Sequence, residues 1–310
     1  MAKAANSVLG VFWQGTKLYF SNSISFFKYL AFPVFGQILG IVLILFASYL
    51  YSCCLKNLIV PGGIFDNFLV IFFVLILVTL PGLFILIKAF WEYLVAYGAI
   101  NSMVENMLKS GKVYDFHAHT EVITRRSASF GTLWLLLAIL GLIGSFPLFW
   151  VISGILAVYF ILVFQVFAYE PDKSPIGCFK KSMAIIKGNF ARTVGLIALL
   201  GVFTYWLIPE GIKYLFIIAN ITSVLAIPFD SIAQKLPINE MNIMFRQFHL
   251  PYQVTSLMMA KAMVEALLGY ALTCLTLPWR SISCALWYKN LNKGEMKLDK
   301  KILERAEKKE

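Results

Sequence analysis

The chain has 310 residues, 60% of them hydrophobic and only 14% charged, with a mean hydropathy of +0.78, against roughly 45–50% apolar and 25% charged residues in soluble domains. That composition excludes an ordinary soluble enzyme, and the length holds about six bilayer spans with short connections rather than spans plus a separate catalytic domain. The net charge of +11 would suit nucleic acid, but the cations cluster between apolar runs, where lipid headgroups are the natural partner and nucleic acid is not.

The first 28 residues carry Lys3, Lys17 and Lys28 without a continuous apolar run or a small-residue cleavage site, so no cleaved signal peptide is expected. The aromatic and basic stretch from Leu9 to Phe20 makes residues 1–28 an amphipathic segment on the cytoplasmic side. The first span is expected at Tyr29–Tyr51, inside the charge-free run from Lys28 to Lys56, and the second at Phe68–Ile87, between Asp66 and Lys88. The second helix should continue past the membrane to Leu108, with Lys88 and Glu92 as an i,i+4 pair and Gly111 as its stop.

Between Arg126 and Glu170 lie 43 residues without one Asp, Glu, Lys or Arg. As a single helix they would reach about 65 Å, twice the hydrocarbon thickness. Gly144-Ser145-Phe146-Pro147 breaks the run, giving spans at Ser129–Leu142 and Phe146–Tyr169. Span five is placed at Thr193–Ile208 and the last at Met263–Tyr288. Each must be helical, because lipid offers the backbone no hydrogen-bond partner. Residues 210–261 form an outer segment whose apolar part, 212–228, holds Lys213 and Asn220 and ends in Ile227-Pro228. It reads as a re-entrant or interfacial helix.

With six spans and the N-terminus inside, inner segments carry 21 Lys/Arg and outer ones 5, as the positive-inside rule requires. A seventh crossing would put the charged tail, residues 291–310, outside. The fold class is therefore all-α: a single polytopic domain over residues 29–290, six transmembrane helices in three hairpins with in-plane amphipathic connecting helices. It is a multi-pass cell-membrane protein with both termini cytoplasmic. One connecting helix is expected at Pro175–Phe190, with Ile176, Phe179, Met183, Ile186 and Phe190 as its apolar stripe and Lys180 and Lys187 on another face. Superposing Phe12 on Phe179 aligns Asn22 with Asn189, a weak internal repeat. Thr-Leu-Pro ends at both Pro81 and Pro278, and Pro33 and Pro147 mark two further spans.

The segment Ser174 to Arg192 carries Phe179, Lys180, Lys181, Ser182, Lys187, Gly188, Phe190 and Arg192 at the spacing of A-L-K-R-S-W-x-L-x-K-G-x-F-x-R. It resembles a loose superfamily of bacterial six-helix membrane proteins that includes the membrane domain of some glycerophosphoryl diester phosphodiesterases. Leu286-Trp287-Tyr288-Lys289-Asn290-Leu291 is similar to that family's aromatic finish. Met183 departs from the usual aromatic, and residues 210–261 are long for the group. The resemblance implies the six-helix architecture and no hydrolase, since the phosphodiesterase barrel has no counterpart here.

Asp115-Phe-His117-Ala-His119-Thr-Glu121 is the sharpest chemical constellation. Extended, it would place Asp115, His117, His119 and Glu121 on one face as a metal set. The favoured reading is a solvated loop with Thr120 as a helix N-cap and Glu121 in the first turn, so no metal is expected. The five cysteines form no CxxC pair and are expected to be structural. No nucleophile elbow, phosphate loop or carboxylate pair is present, so neither an enzyme nor a cofactor is expected. Lys180, Lys181, Lys187 and Arg192 are the candidate contacts for anionic lipid on the inner leaflet, with the Lys187-Gly188-Asn189 step opening the N-terminus of span five to a headgroup. Glu265 and Arg280, about 22 Å apart on one helix, are expected to reach opposite interfaces. Function is expected to be non-enzymatic binding of lipid or a partner membrane protein. The alternative, a transporter or channel for a small solute, would use Gln37 or Gln165 along its path.

Overall fold

The computed structural model describes residues 7–59, 63–113 and 115–292, and every regular element among them is helical. The calls on Lys3 and on the tail from Lys293 to Glu310 lie outside the described residues. Among the described residues, six stretches are long and apolar enough to cross a membrane: Ser23–Leu55, Phe68–Ser110, Ser127–Gly144, Pro147–Tyr169, Phe190–Ile218 and Ser256–Asn292. The chain is thus an all-α polytopic bundle.

Helix α1 (Val8–Ser21) starts at Ser7, whose hydroxyl accepts the Gly10 N–H at 3.0 Å, a side-chain cap for one orphan donor. After the corner at Asn22, α2 (Ser23–Leu58) runs through Pro33 without breaking. Helix α3 (Phe68–Ser110) runs through Pro81. It ends as expected at Gly111, which takes φ +75° and donates its N–H to Met107 O at 2.9 Å. Lys88 lies over the Phe32 ring, 5.7 Å from its centre, rather than in an ion pair with Glu92. Helix α4 (Phe116–Thr124) precedes α5 (Ser127–Gly144), and a 3-10 turn at Pro147–Phe149 opens the return leg, α6 (Trp150–Phe160) and α7 (Val163–Tyr169).

Two corrections follow in the second half of the chain. Helix α8 (Pro175–Ile186) is capped by Ser174 and starts on Pro175, a residue that loses no bond at a helix start. Its buried residues, however, are Cys178, Ser182 and Ile186, while Ile176 and Met183 are exposed. The expected stripe is thus split: Ile186 is buried and Phe179 and Phe190 are half-buried against Phe160 and Tyr159, while Ile176 and Met183 face outward. The second correction concerns 212–228. Helix α9 (Phe190–Gly201) passes through a π-helical turn, Val202–Leu207, into α10 (Ile208–Ile218). Asn220, at φ +58°, then starts α11 (Ile221–Ala233). The apolar stretch is therefore no single re-entrant helix: its first part continues span five and its second part turns back. Helices α12 (Ile238–Gln247), α13 (Ser256–Leu275) and α14 (Leu277–Asn292) follow. Pro278 has no N–H for the carbonyl four residues earlier, so the last span breaks at Thr276, unlike the helix at Pro81.

The chain forms two compact units. One comprises, of the described residues, those up to Leu30, Glu92–Tyr205 and those from Leu275. In it α1 lies against α14 so closely that a Cβ on Gly15 would stand 2.2 Å from Ser283 Oγ, and Trp279 stacks on Tyr19 with planes 7° apart. The Arg126 guanidinium donates to Phe167 O at 2.9 Å and Lys173 O at 3.1 Å and covers the Phe167 ring. Asn22 binds Gly111 O and the Val113 N–H, both at 3.1 Å. The internal repeat has a backbone counterpart: Asn22 and Asn189 adopt φ, ψ of −119°, 13° and −123°, 17°. Each donates its N–H three residues back and accepts from four residues on.

The other unit comprises Ala31–Trp91 and Trp206–Cys274. Here Gly36 and Gly40 let α2 approach α3: a Cβ on Gly36 would stand 2.9 Å from Ala89 Cβ, and one on Gly40 2.8 Å from the Leu86 backbone. This is the small-xxx-small contact that membrane helices use where burial of apolar surface gives little drive. Ala226, Phe229, Ile232, Ala233, Ala260 and Val264 form its core against Phe46 and Tyr49.

Candidate functional site

Helix geometry disperses the metal set. Asp115, not Thr120, is the N-cap of α4, and its carboxylate accepts the Ala118 N–H at 3.1 Å. His117 is exposed, and Glu121 pairs with Arg125 at 2.6 Å. His119 turns inward and is 1% exposed. Its Nδ1 lies 2.7 Å from Ser102 Oγ and its Nε2 3.2 Å from Asn106 Nδ2. Ser102 already donates to Ala99 O, so the network assigns the proton to Nδ1 and makes Nε2 the acceptor. Both ring nitrogens are occupied, and burial lowers the pKa to about 4 despite the opposing charge of Asp115. Among the described residues no group of three or more His, Cys, Asp or Glu side chains could hold a metal.

The four basic candidates are spread from the middle of α8 (Lys180, Lys181) through the α8–α9 corner (Lys187), where Gly188 takes φ +87°, to the first turn of α9 (Arg192). They do not act alike. Lys180 and Lys187 are exposed. Lys181 Nζ lies 3.8 Å from Glu170 Oε1, and that same oxygen accepts the Tyr288 hydroxyl at 2.8 Å. Arg192 donates to Asn189 Oδ1 at 3.2 Å and stands 5.2 Å from the Trp287 ring centre. Asn189 makes no side-chain bond to the first amides of α9, and Lys187 just before it is exposed. Near the start of α8, Cys178 is buried, and burial pushes its thiol up to about 11. All five cysteines are free.

The polar residues expected along a solute path are packed away. Gln37 is 1% and Gln165 0% exposed. Gln37 donates to Pro33 O at 2.6 Å and accepts the Tyr270 hydroxyl. The Gln165 amide meets that of Asn101 at 2.8 Å.

Sequence reasoning missed a cleft of about 680 Å³, lined by Tyr97, Trp134, Gly141, Gly154, Tyr205 and Arg280 among others. Two proline-disturbed helices make its polar end. Pro209 cannot donate to the Tyr205 carbonyl, and the ladder before it widens into the π turn. Pro278 breaks the last span, and the Thr276 hydroxyl donates to Thr204 O at 3.3 Å. Arg280 follows this break. It donates to Thr204 Oγ1 at 3.5 Å and lies 4.3 Å from the Tyr205 ring centre, so it faces the cleft rather than reaching for an interface. The only local signal was a lone arginine in an apolar run. The chain matches no family model, no curated protein and no solved structure.

Proposed function

We propose that the protein is a non-enzymatic factor of a bacterial-type cytoplasmic membrane, with both termini cytoplasmic, that holds anionic phospholipid at the α8–α9 corner. The observation that carries this is the corner itself. Exposed Lys187 lies three residues before the first residue of α9, whose N-terminus has no side-chain cap, and exposed Lys180 lies on the preceding helix α8. At such an N-terminus backbone N–H groups and the helix dipole both favour an anion. Outward-facing Ile176 and Met183 give α8 an apolar side for acyl chains. Kinship with the phosphodiesterase-associated superfamily rests on the α8–α9 motif and the aromatic finish Leu286–Leu291, and it fits this role without adding an activity. A transporter or channel has less support, because Gln37 and Gln165 are buried and engaged.

The test is native mass spectrometry of protein released from its own membrane in mild detergent. Wild-type protein should carry anionic phospholipid. Each lysine near such a surface contributes about 1 kcal/mol, so Lys180→Gln with Lys187→Gln should lower retention roughly 30-fold. Undiminished lipid on the double variant would remove the basis of the proposal, and a co-purifying polypeptide in its place would point to a partner protein.

A further inference from the structure

The Arg280 cleft includes none of the residues of the α8–α9 corner in its lining and has the form of a ligand site. Its volume of about 680 Å³ lies within the roughly 300–1,000 Å³ of small-molecule pockets. Its walls are aromatic and small: Tyr97, Trp134 and Phe164 on one part, Gly141, Gly154 and Ala157 on another. A Cβ on Gly141 or Gly154 would meet no atom within 4 Å, so the glycines border open space rather than a tight helix contact. Trp150 and Tyr205 line the cleft and are largely exposed, so it opens sideways on the apolar surface of the bundle, where membrane amphiphiles arrive. At its polar end the guanidinium is fixed against a ring face and a threonine hydroxyl, which leaves its charge positioned rather than swinging.

We propose that the cleft binds a single-chain amphiphile with an oxyanionic head, the acyl chain along the aromatic and glycine walls and the carboxylate or phosphate at Arg280. Arginine keeps its charge in proteins, and its planar fork matches both oxyanions. In apolar surroundings that attraction is stronger than in water. A cleft of this size accommodates one chain; a two-chain phospholipid would leave its second chain outside.

Trp134 and Trp150 in the walls provide the readout. Purified full-length protein in detergent is titrated with dibromostearate, with the corresponding brominated alcohol and with a brominated lysophosphatidate, following tryptophan quenching. At least one oxyanionic probe should bind about tenfold or more tightly than the alcohol, and the tighter of the two identifies the head. Arg280→Gln should erase that preference, whereas Arg280→Lys should keep part of it. Gly154→Leu should fill the open space and reduce quenching by every probe, its unchanged melting temperature showing that the fold is kept. Equal binding of acid and alcohol, or undiminished quenching in Gly154→Leu, would overturn the proposal. Lys180→Gln with Lys187→Gln should leave the titration unchanged, so a failure here is distinguishable from a failure at the α8–α9 corner.

Discussion

His119 shows how one buried side chain links local sequence to a measurable pH dependence. Its neutral ring is held by Ser102 and Asn106, and its pKa falls to about 4 from about 6.5 in an unfolded chain. Between those values the unfolded state binds more protons, so stability rises with pH across the window and is lost as pH falls through it. The loss should approach 1.4 kcal/mol for each pH unit below about 6.5. Melting temperatures in detergent should therefore drop between pH 7 and pH 5 for the wild type and for His117→Ala, whose ring is exposed. His119→Ala should be less stable at pH 7 by about 1–3 kcal/mol, because Ser102 and Asn106 lose their partner, and should lack most of the acid drop. A wild-type curve flat over this range, or one unchanged by His119→Ala, would refute the assignment. The same ring shows what the spacing alone leaves out. In sequence, Asp115, His117, His119 and Glu121 alternate like ligands on a strand, but the partners that fix His119 stand 13 and 17 residues earlier on α3.

At the scale of elements, the close approach of α2 and α3 separates two kinds of glycine. Gly40 has no room for a Cβ, which would meet backbone atoms of Leu86 and Gly82 at 2.8–2.9 Å, and backbone cannot rotate away as a side chain can. Gly131, also helical, would meet nothing within 4 Å. Gly40→Ala should cost about 1–3 kcal/mol through overpacking, whereas Gly131→Ala should be neutral or stabilising by up to about 1 kcal/mol, the helix-propensity difference. Thermal unfolding of the two variants in one detergent compares them directly, and equal effects would show that the α2–α3 contact is not as close as described. These elements differ in how far the sequence disclosed them. The charge-free run between Arg126 and Glu170 and the stop at Gly111 were legible because composition and a positive-φ residue act locally. The Gly36-x-x-x-Gly40 signal was present but unused. The breaks at Thr276 and the π turn depend on which proline a neighbouring helix compensates, and Arg280 meets Thr204 from 76 residues away; no local pattern encodes either.

For the whole molecule, the testable quantity is the side of the membrane on which each segment lies. Between α8 and α12 the chain passes one stretch long enough to cross, Phe190–Ile218, and then α11, whose 13 residues reach about 20 Å, short of a hydrocarbon core of about 30 Å. With one crossing, α8 and α12 are expected on opposite sides of the membrane, and Ser256–Asn292 is expected to return the chain to the side of α8. Charge supports the same arrangement, because residues 170–192 hold five Lys/Arg in 23 positions while 210–261 hold four in 52, and the richer segment belongs inside. In a cysteine-free background, Lys180→Cys and Gln247→Cys place single thiols on α8 and at the end of α12, both at exposed positions. A membrane-impermeant thiol reagent should label Gln247→Cys and not Lys180→Cys in intact cells, with the pattern reversed in inverted vesicles. Labelling of both from the same side would mean that α11 completes a second crossing after α10. The chain from Lys289 would then lie outside, and the cytoplasmic assignment of the α8–α9 corner would have to be decided by its own label alone.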